Sequence, residues 1–440
     1  MMGELVPIGN LFNFEKGELQ STKCTPGEYD FITAAEDWKT HNEYAHECEA
    51  LIIAVAASGS LGRTHYVDGK FISSDLCFIL TPKNEEKYPL NLAFYHFVFN
   101  SLRPTLVAAT KSGTSKESIN QTNLKKYELP YFDIEQQDLW IDKLKNTLAR
   151  KDLLGTELTH QQTLLKKLRQ QILQEAIEGK LTVDWRKKKP NVEPASKLLK
   201  RIQAEKEQLI KDKKIKKQKI LPPISEEEKP FALPDGWVWC RLNNVIYENP
   251  KNGYSPKTVD FPTTTKTLKL GATTSGKFID TETKYINEKI PKDSFLWLNK
   301  REILIQRGNS IDFVGVSAIY NGAAYKFVYP DLMMKLKPAK SISEIYLHHV
   351  LMSPYCRDNA VGAQKSMPKI NQGVVSNTLV SLCSQAEQKA IVAKVEKLLA
   401  LCDQLETQIT NNQSHADQLM QSVLKEAFST KKNYKISTSI

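Results

Sequence analysis

The chain has 440 residues, of which 41% are hydrophobic and 25% charged, and a formal net charge of +11. That length suits about two to four domains with ordinary cores, and the excess of Lys and Arg favours a polyanionic partner without specifying a fold. The seven cysteines are scattered with no Cys-x-x-Cys pair, no apolar run reaches membrane-spanning length, and residues 1–14 lack a basic and then apolar leader. Zinc or other metal binding, a disulfide framework, a transmembrane helix and a signal peptide are therefore not expected, and a reduced, cytoplasmic protein is.

The first globular unit is expected over 1–134. Short β-rich runs at 50–57, 65–67 and 71–80 are separated by Gly and Asp turns, and 90–102 reads as a helix. Ser58-Gly59-Ser60-Leu61-Gly62-Arg63 forms a loop between the first two runs. A long helix is expected over 135–178, with Leu144, Leu154, Leu158, Leu165, Leu168, Ile172 and Ala176 on one seam, interrupted by Lys151 and Gln161. At 1.5 Å per residue it would be about 65 Å long.

A basic linker follows over 179–232. It contains a short helix signalled by Leu198, Ile202 and Leu209, and ends in Leu221-Pro222-Pro223 and Glu226-Glu227-Glu228. Its lysines Lys211, Lys213, Lys214, Lys216, Lys217 and Lys219 read first as a solvated face and second as a source of sequence-independent phosphate attraction. The second globular unit is expected over 233–384, with strands at 303–306, 314–319 and 325–333 and a hairpin signal at Asn321-Gly322. His348-His349 lies on a helix, as packing or surface. A second long helix is expected over 385–428, before a flexible tail at 429–440. Its seam is Ile391, Val395, Leu398, Cys402, Leu405, Ile409, Ala416, Leu419, Val423 and Ala427, with Asn412 filling the one gap.

The chain repeats itself. Ser118-Ile119-Asn120-Gln121 is echoed by Lys369-Ile370-Asn371-Gln372, with Ile119 and Ile370 lying 251 residues apart. Ile172-Leu173-Gln174-Glu175-Ala176-Ile177 is echoed by Val423-Leu424-Lys425-Glu426-Ala427-Phe428 at the same separation of 251 residues. Upstream the separation drifts to 253 and 256, as loop insertions would cause. A period this long is a duplicated domain and not a solenoid. The expected fold is therefore α+β: two mixed, mostly β domains joined by two long antiparallel coiled-coil helices with a pseudo-twofold internal repeat. Gln161 and Asn412 occupy equivalent seam positions and are expected to fix helix register, a known use of a polar seam residue.

Loops of both units carry the residue types that read DNA. Arg and Lys pair with guanine edges, Asn and Gln with adenine, and Ser and Thr with bases or phosphates. In the first unit these are Ser58, Ser60, Arg63, Thr64 and His65, then Lys111, Ser112, Thr114, Ser115 and Lys116. In the second they are Arg307, Asn309 and Ser310, then Gln364, Lys365, Ser366 and Lys369. The clusters correspond in place and differ in chemistry, as expected if one scaffold reads two different half-sites. Asn120 and Asn371 are identical in both copies and are expected to set the loop or bind phosphate. No phosphate-binding Gly-Lys-Ser or Gly-Lys-Thr loop, no His-Glu-x-x-His and no Asn-Pro-Pro-aromatic segment occurs, and His41, His46 and His65 do not form a metal cluster, so no catalytic residue is assigned.

The sequence closely resembles the specificity subunits of type I restriction–modification systems, the HsdS family. Leu233-Pro234-Asp235-Gly236-Trp237-Val238-Trp239 looks like the opening of a target-recognition domain. Residues 29–38 and 56–62 look like the interior of another. Glu387-Gln388-Lys389-Ala390-Ile391-Val392 resembles the start of that family's helical spacer, with Glu135-Gln136-Gln137 as counterpart, and 168–181 its end. The first unit departs from the pattern by lacking the Leu-Pro-x-Gly-Trp entry. The resemblance implies a non-catalytic subunit that recognises a split, asymmetric target in double-stranded DNA. It implies two modification (methyltransferase) subunits that carry S-adenosylmethionine and methylate adenine N6, and restriction subunits that use ATP and Mg. No cofactor of its own and no membrane partner are implied. The competing readings are a stand-alone sequence-specific DNA-binding regulator and an enzyme with a cryptic active site.

Overall fold

The computed structural model describes residues 4–56, 59–113, 117–308, 310–361 and 369–428. It divides into two compact units, one of Met1–His160 with Ile409–Ile440 and one of Gln161–Gln408.

The first unit opens with β1 (Glu4–Pro7), α1 (Ile8–Leu11), β2 (Phe12–Lys16), β3 (Tyr29–Ile32), β4 (Lys39–His41), β5 (His46–Ala54), β6 (Thr64–Ser73) and β7 (Cys77–Pro82). It continues through α2 (Leu92–Thr110), β8 (Lys111–Ser112), β9 (Ser118–Ile119), α3 (Gln121–Lys126) and β10 (Glu128–Tyr131) into α4 (Ile134–Ile177). Six strands form one sheet in the order β2-β7-β5-β6-β3-β4. β5 lies inside it, which is why its run is apolar without alternation. Leu51 and Ile53 face the larger core, while Ala50, Ile52 and Ala54 face the smaller. α2 covers the larger core with Leu92, Tyr95, Val98, Phe99 and Leu106, a one-sided helical spacing. Phe12 meets Tyr95 and Phe99 edge to face at 5.7 and 5.8 Å.

Two expectations change here. The Asp68-Gly69 turn is absent, because β6 runs unbroken from Thr64 to Ser73 with Gly69 at φ +120° inside it. Glycine tolerates that φ without a Cβ penalty. The break falls instead between Ser73 and Cys77, splitting the run expected at 71–80.

The second unit holds α5 (Val183–Lys188), α6 (Ala195–Lys211), β11 (Val238–Arg241), α7 (Leu242–Val245), β12 (Lys251–Asn252), β13 (Thr258–Val259), β14 (Thr265–Leu268) and β15 (Thr283–Ile286). Then come β16 (Glu302–Gln306), β17 (Ser317–Tyr320), β18 (Phe327–Val328), β19 (Met333–Leu336), α8 (Glu344–Met352), α9 (Pro354–Val361), α10 (Gln372–Asn377), β20 (Leu379–Leu382) and α11 (Gln385–Ala427). Two four-stranded sheets run β12-β19-β16-β17 and β13-β15-β14-β18. β16 is buried along its whole length and holds Glu302 3.2 Å from Lys335 of β19. Asn321-Gly322 does not close a hairpin, because the strand after it, β18, pairs with β14 and not with β17. The basic segment is ordered at its start: α6 buries Ala195, Leu198 and Ile202, and Lys206 donates to the Asn243 carbonyl at 2.7 Å.

Both units repeat one frame. β1 pairs antiparallel with β10, and β11 with β20. The Ile8 amide donates to Tyr127 O at 2.8 Å, and the Leu242 amide to Thr378 O at 2.8 Å. Each unit also contains antiparallel stretches of the two long helices. In the first, Lys143 reaches Glu426 at 3.3 Å and Lys151 reaches Asp417 at 2.7 Å. In the second, Arg169 reaches Asp403 at 2.6 Å and Glu406 at 3.0 Å. The seam is sparser than a strict heptad. Leu144, Leu158, Leu165, Ile172, Ile391, Val395, Cys402, Ile409, Met420 and Ala427 are buried, whereas Leu154, Leu168, Leu405 and Leu419 are exposed. Gln161 and Asn412 are exposed as well, in the second and first units respectively.

Candidate nucleic-acid interface

In each unit the chain folds two separate loops against each other at one end of the sheet. In the first, the loop after β5 and the hairpin β8–β9 are joined by the Ile119 amide, which donates to Val55 O at 2.8 Å, and by a bridge between Ala56 and Ser118. In the second, the Ile370 amide donates to Arg307 O at 2.8 Å, and Arg307 Nε returns a bond to Ile370 O at 3.5 Å. The described ends of the two loops in each half of the sequence are thus neighbours in space.

Their members take different roles. Arg63 is half-buried. It donates to Ala34 O at 3.3 Å and Ser60 Oγ at 3.4 Å, with Glu36 at 3.7 Å. Lys111 pairs with Glu117 at 2.7 Å, and Ser112 Oγ lies 3.5 Å from Ser118 O as its donor. Arg307 Nη1 donates to Asp331 O at 3.3 Å. Ser310 and Lys369 are exposed. Ser58, Thr114, Ser115, Lys116, Asn309, Gln364, Lys365 and Ser366 lie outside the described residues.

Thr64 and His65 are buried, at 2% and 9% exposure, so the DNA-facing expectation for these two gives way to a role in holding the loop. Asn100 on α2 clasps Thr64 from both sides, accepting from its amide at 3.1 Å and donating to its carbonyl at 2.8 Å. His65 Nδ1 accepts from Trp38 Nε1 at 3.1 Å, and burial pushes the His65 pKa down, which keeps the ring neutral. Asn120 and Asn371 are helix N-caps: Asn120 Oδ1 accepts from the Asn123 amide at 3.1 Å, and Asn371 Oδ1 from the Val374 amide at 3.0 Å.

Sequence reading missed the residues that hold these loops. Arg103 on α2 donates from Nε to Leu61 O and from Nη2 to Gly59 O, both at 2.7 Å. Arg357 on α9 donates from Nη2 to Asp312 O at 2.6 Å. Arg103 and Arg357 lie 254 residues apart, and Gly59 and Asp312 lie 253 apart, so the same contact is made twice. The strand that leaves the loop is held equivalently: the Thr64 amide meets Asn100 Oδ1, and the Ser317 amide meets Met352 Sδ at 3.3 Å. The only available signal was the repeat offset, since an arginine on a helix carries no local sign of its partner.

Among the described residues no group of three or more His, Cys, Asp or Glu is placed to hold a metal ion, and no helix is long and apolar enough to cross a membrane.

Residues 4–161 match the family described as the Type I restriction modification DNA specificity domain. The chain is 34% identical over 257 residues to the type I restriction enzyme EcoEI specificity subunit of Escherichia coli, which covers 56% of this chain and 42% of that protein. It is 37% identical over 246 residues to the EcoAI specificity subunit of Escherichia coli, covering 54% of this chain and 40% of that one. The chain thus spans less than half the length of these two relatives. The EcoDI specificity subunit of Escherichia coli aligns over 432 residues at 25% identity, covering 96% of this chain and 87% of that protein. Among solved structures, the HsdS subunit from Thermoanaerobacter tengcongensis shares the fold with a TM-score of 0.55 at 15% identity, over 97% of this chain and 96% of that one. A chain from a study of complex assembly and conformational transition of the type I R-M system does so with a TM-score of 0.65 at 15% identity, over 97% of this chain and 98% of that one.

Proposed function

We propose, from its likeness to the specificity subunits of type I restriction–modification systems, that the chain is the DNA sequence-specificity subunit of such a complex. It recognises a split, asymmetric DNA target and docks methyltransferase and restriction subunits. The observation that carries this reading is the twice-made grip on a loop whose sequence differs between copies. Arg103 holds Gly59-Ser60-Leu61 and Arg357 holds the loop that contains Asp312. A shared frame that presents unlike loops suits two unlike half-sites.

The division of labour follows from what the copies share. The loops differ, so we assign their polar residues to DNA: Ser60, Arg63, Lys111, Ser112, Arg307, Ser310 and Lys369. The helices agree. Leu154 and Leu405 are exposed and 251 residues apart, as are Leu168 and Leu419, and each unit carries one leucine from each helix. Identical exposed apolar positions suit two copies of one partner, which we assign as the modification subunits. The chain itself contributes no catalytic group. S-adenosylmethionine belongs to the modification subunits, and ATP and Mg to the restriction subunits, in the cytoplasm. Domain roles follow: target recognition at 1–134 and 233–384, spacers at 135–178 and 385–428, with Gln161 and Asn412 as register residues.

The test is methyl transfer to DNA from S-adenosylmethionine by the modification subunit with and without this chain. Site-specific adenine methylation that requires the chain supports the reading. Methylation by the isolated chain, or the same sites without it, refutes it.

A further inference from the structure

We propose that Arg103 and Arg357 are specificity-positioning residues, each setting the shape of one reading loop and therefore the fidelity of one half-site alone. The inference rests on the loop-reading assignment above and goes further, because neither arginine reaches DNA in it.

Three observations carry it. First, the guanidinium groups bond backbone carbonyls of the loops and not side chains: Leu61 O and Gly59 O for Arg103, Asp312 O for Arg357. A backbone grip fixes where the loop runs whatever bases its side chains select. It therefore survives as a common part while the loop sequences diverge. Second, the grip sits where the loop most needs it. Gly59 and Gly62 adopt φ of +81° and +74°, and Gly315 in the second loop adopts +80°. Those turns are open to many conformations in the unbound chain, and glycine gives up more freedom than any other residue when held. Third, the guanidinium is partly withdrawn from water in both copies, and burial pushes the pKa of both arginines down. Bonds from a charged donor to carbonyls are strong in such a setting. Arg357 Nη1 is buried with no hydrogen-bond partner among the described residues, so its geometry is held from the loop side by the single bond to Asp312 O.

A lysine keeps the charge at either position, but at 103 it loses the planar fork that spans two carbonyls, and at 357 it loses the rigid guanidinium edge that holds Asp312 O. The loop then samples more shapes, and the penalty for a wrong base falls. Loss of positioning should raise methylation at single-mismatch sites about tenfold relative to cognate sites, the order of discrimination that one base pair ordinarily provides. The rise should be confined to mismatches in one half-site.

The experiment uses the full chain in complex with its modification subunit and maps adenine methylation across a library of cognate and single-mismatch targets. The variants are R103K, R103M, R357K and R357M, with R63A and R307A as controls in the loops themselves. Complex assembly and thermal unfolding are measured for each. The expected result is relaxed fidelity in one half-site for the Arg103 variants and in the other for the Arg357 variants, with assembly intact. Uniform loss of activity across both half-sites, or unchanged fidelity while R63A and R307A each alter one half-site, overturns the proposal. If R63A and R307A also leave both half-sites unchanged, the loop-reading assignment itself is wrong and the proposal falls with it.

Discussion

Gln137 Oε1 accepts a hydrogen bond from the Asn91 amide at 2.7 Å, at the point where α4 leaves the sheet domain of the first unit. The same side chain donates from Nε2 to Phe132 O at 2.7 Å and to Pro89 O at 3.0 Å. In the second copy, Gln388 Oε1 accepts from the Ser343 amide at 2.9 Å and Nε2 donates to Cys383 O at 3.2 Å. Asn91 and Ser343 are both N-caps of the helices that cover the domains. Each joint is thus one buried glutamine that ties a long helix, α4 or α11, to a capped helix start.

Replacing Gln137 or Gln388 by Met keeps the volume and removes every one of these bonds. The backbone groups left behind, partly or fully buried, lose these partners, which costs about 2–4 kcal/mol in total. Urea unfolding of Q137M should show the first unit weakened, and of Q388M the second. Equal midpoints to the unsubstituted chain would show that the joints carry no stability.

Two ion pairs of similar length should behave differently. Lys151 and Asp417 lie 2.7 Å apart with side chains 36% and 67% exposed, so K151M should change stability by about 1 kcal/mol or less. Glu387 is 5% exposed and accepts from Arg186 Nη1 at 2.6 Å, Thr182 Oγ1 at 2.8 Å and Trp237 Nε1 at 2.9 Å. E387A leaves a half-buried guanidinium without its carboxylate and a buried indole N–H without its acceptor, and should cost about 2–4 kcal/mol. Chemical denaturation of both variants in one buffer gives the comparison, and similar losses would contradict it.

Acid should loosen the second unit. Burial holds His348 at a pKa of about 4 and His349 at about 3, below the ordinary 6.5. The unfolded chain therefore binds protons below about pH 6.5 that the folded chain refuses until near pH 4. The stability from these neutral rings is complete above pH 6.5 and is lost as the pH falls to the folded values, by about 3–5 kcal/mol per ring for shifts of that size. H349L removes one such group, whose Nδ1 is buried without a partner among the described residues. Its melting temperature should fall less between pH 7 and pH 4.5 than that of the unsubstituted chain. Parallel curves would refute the assignment.

The spacer acts as a ruler in this account. Four residues inserted beside Thr159, inside α4 (Ile134–Ile177), lengthen the helix by about 6 Å. The permitted gap between half-sites should change while the half-site sequences stay the same. An unchanged gap in a methylation map would remove the ruler.

Much of the architecture was legible because it depends on periodicity. The long helices announce themselves in Leu158, Leu165, Ile391 and Val395, and the duplication in the constant offset from Ile119 to Ile370. Positions decided by tertiary partners were not legible. Leu405 and Leu419 fit the heptad as well as Cys402 does, yet they are exposed, and only the packed helix pair decides which leucine is covered. Thr64 and His65 have the composition of a DNA-reading loop, but β6 begins at Thr64 and both side chains are buried, on opposite faces of the strand. Asn321-Gly322 has the residues of a tight hairpin, but the next strand finds its partner in another sheet. Arg103, Arg357, Gln137 and Gln388 each reach a backbone carbonyl or amide more than 40 residues away, which no local pattern encodes.

The most direct measurement is a genome-wide map of N6-methyladenine in cells that carry the modification subunit with this chain, beside the same cells without it. The account predicts a two-part motif, its halves unlike each other and separated by a fixed gap, present only when the chain is present. A single uninterrupted motif, or the same motif in the absence of the chain, would contradict it.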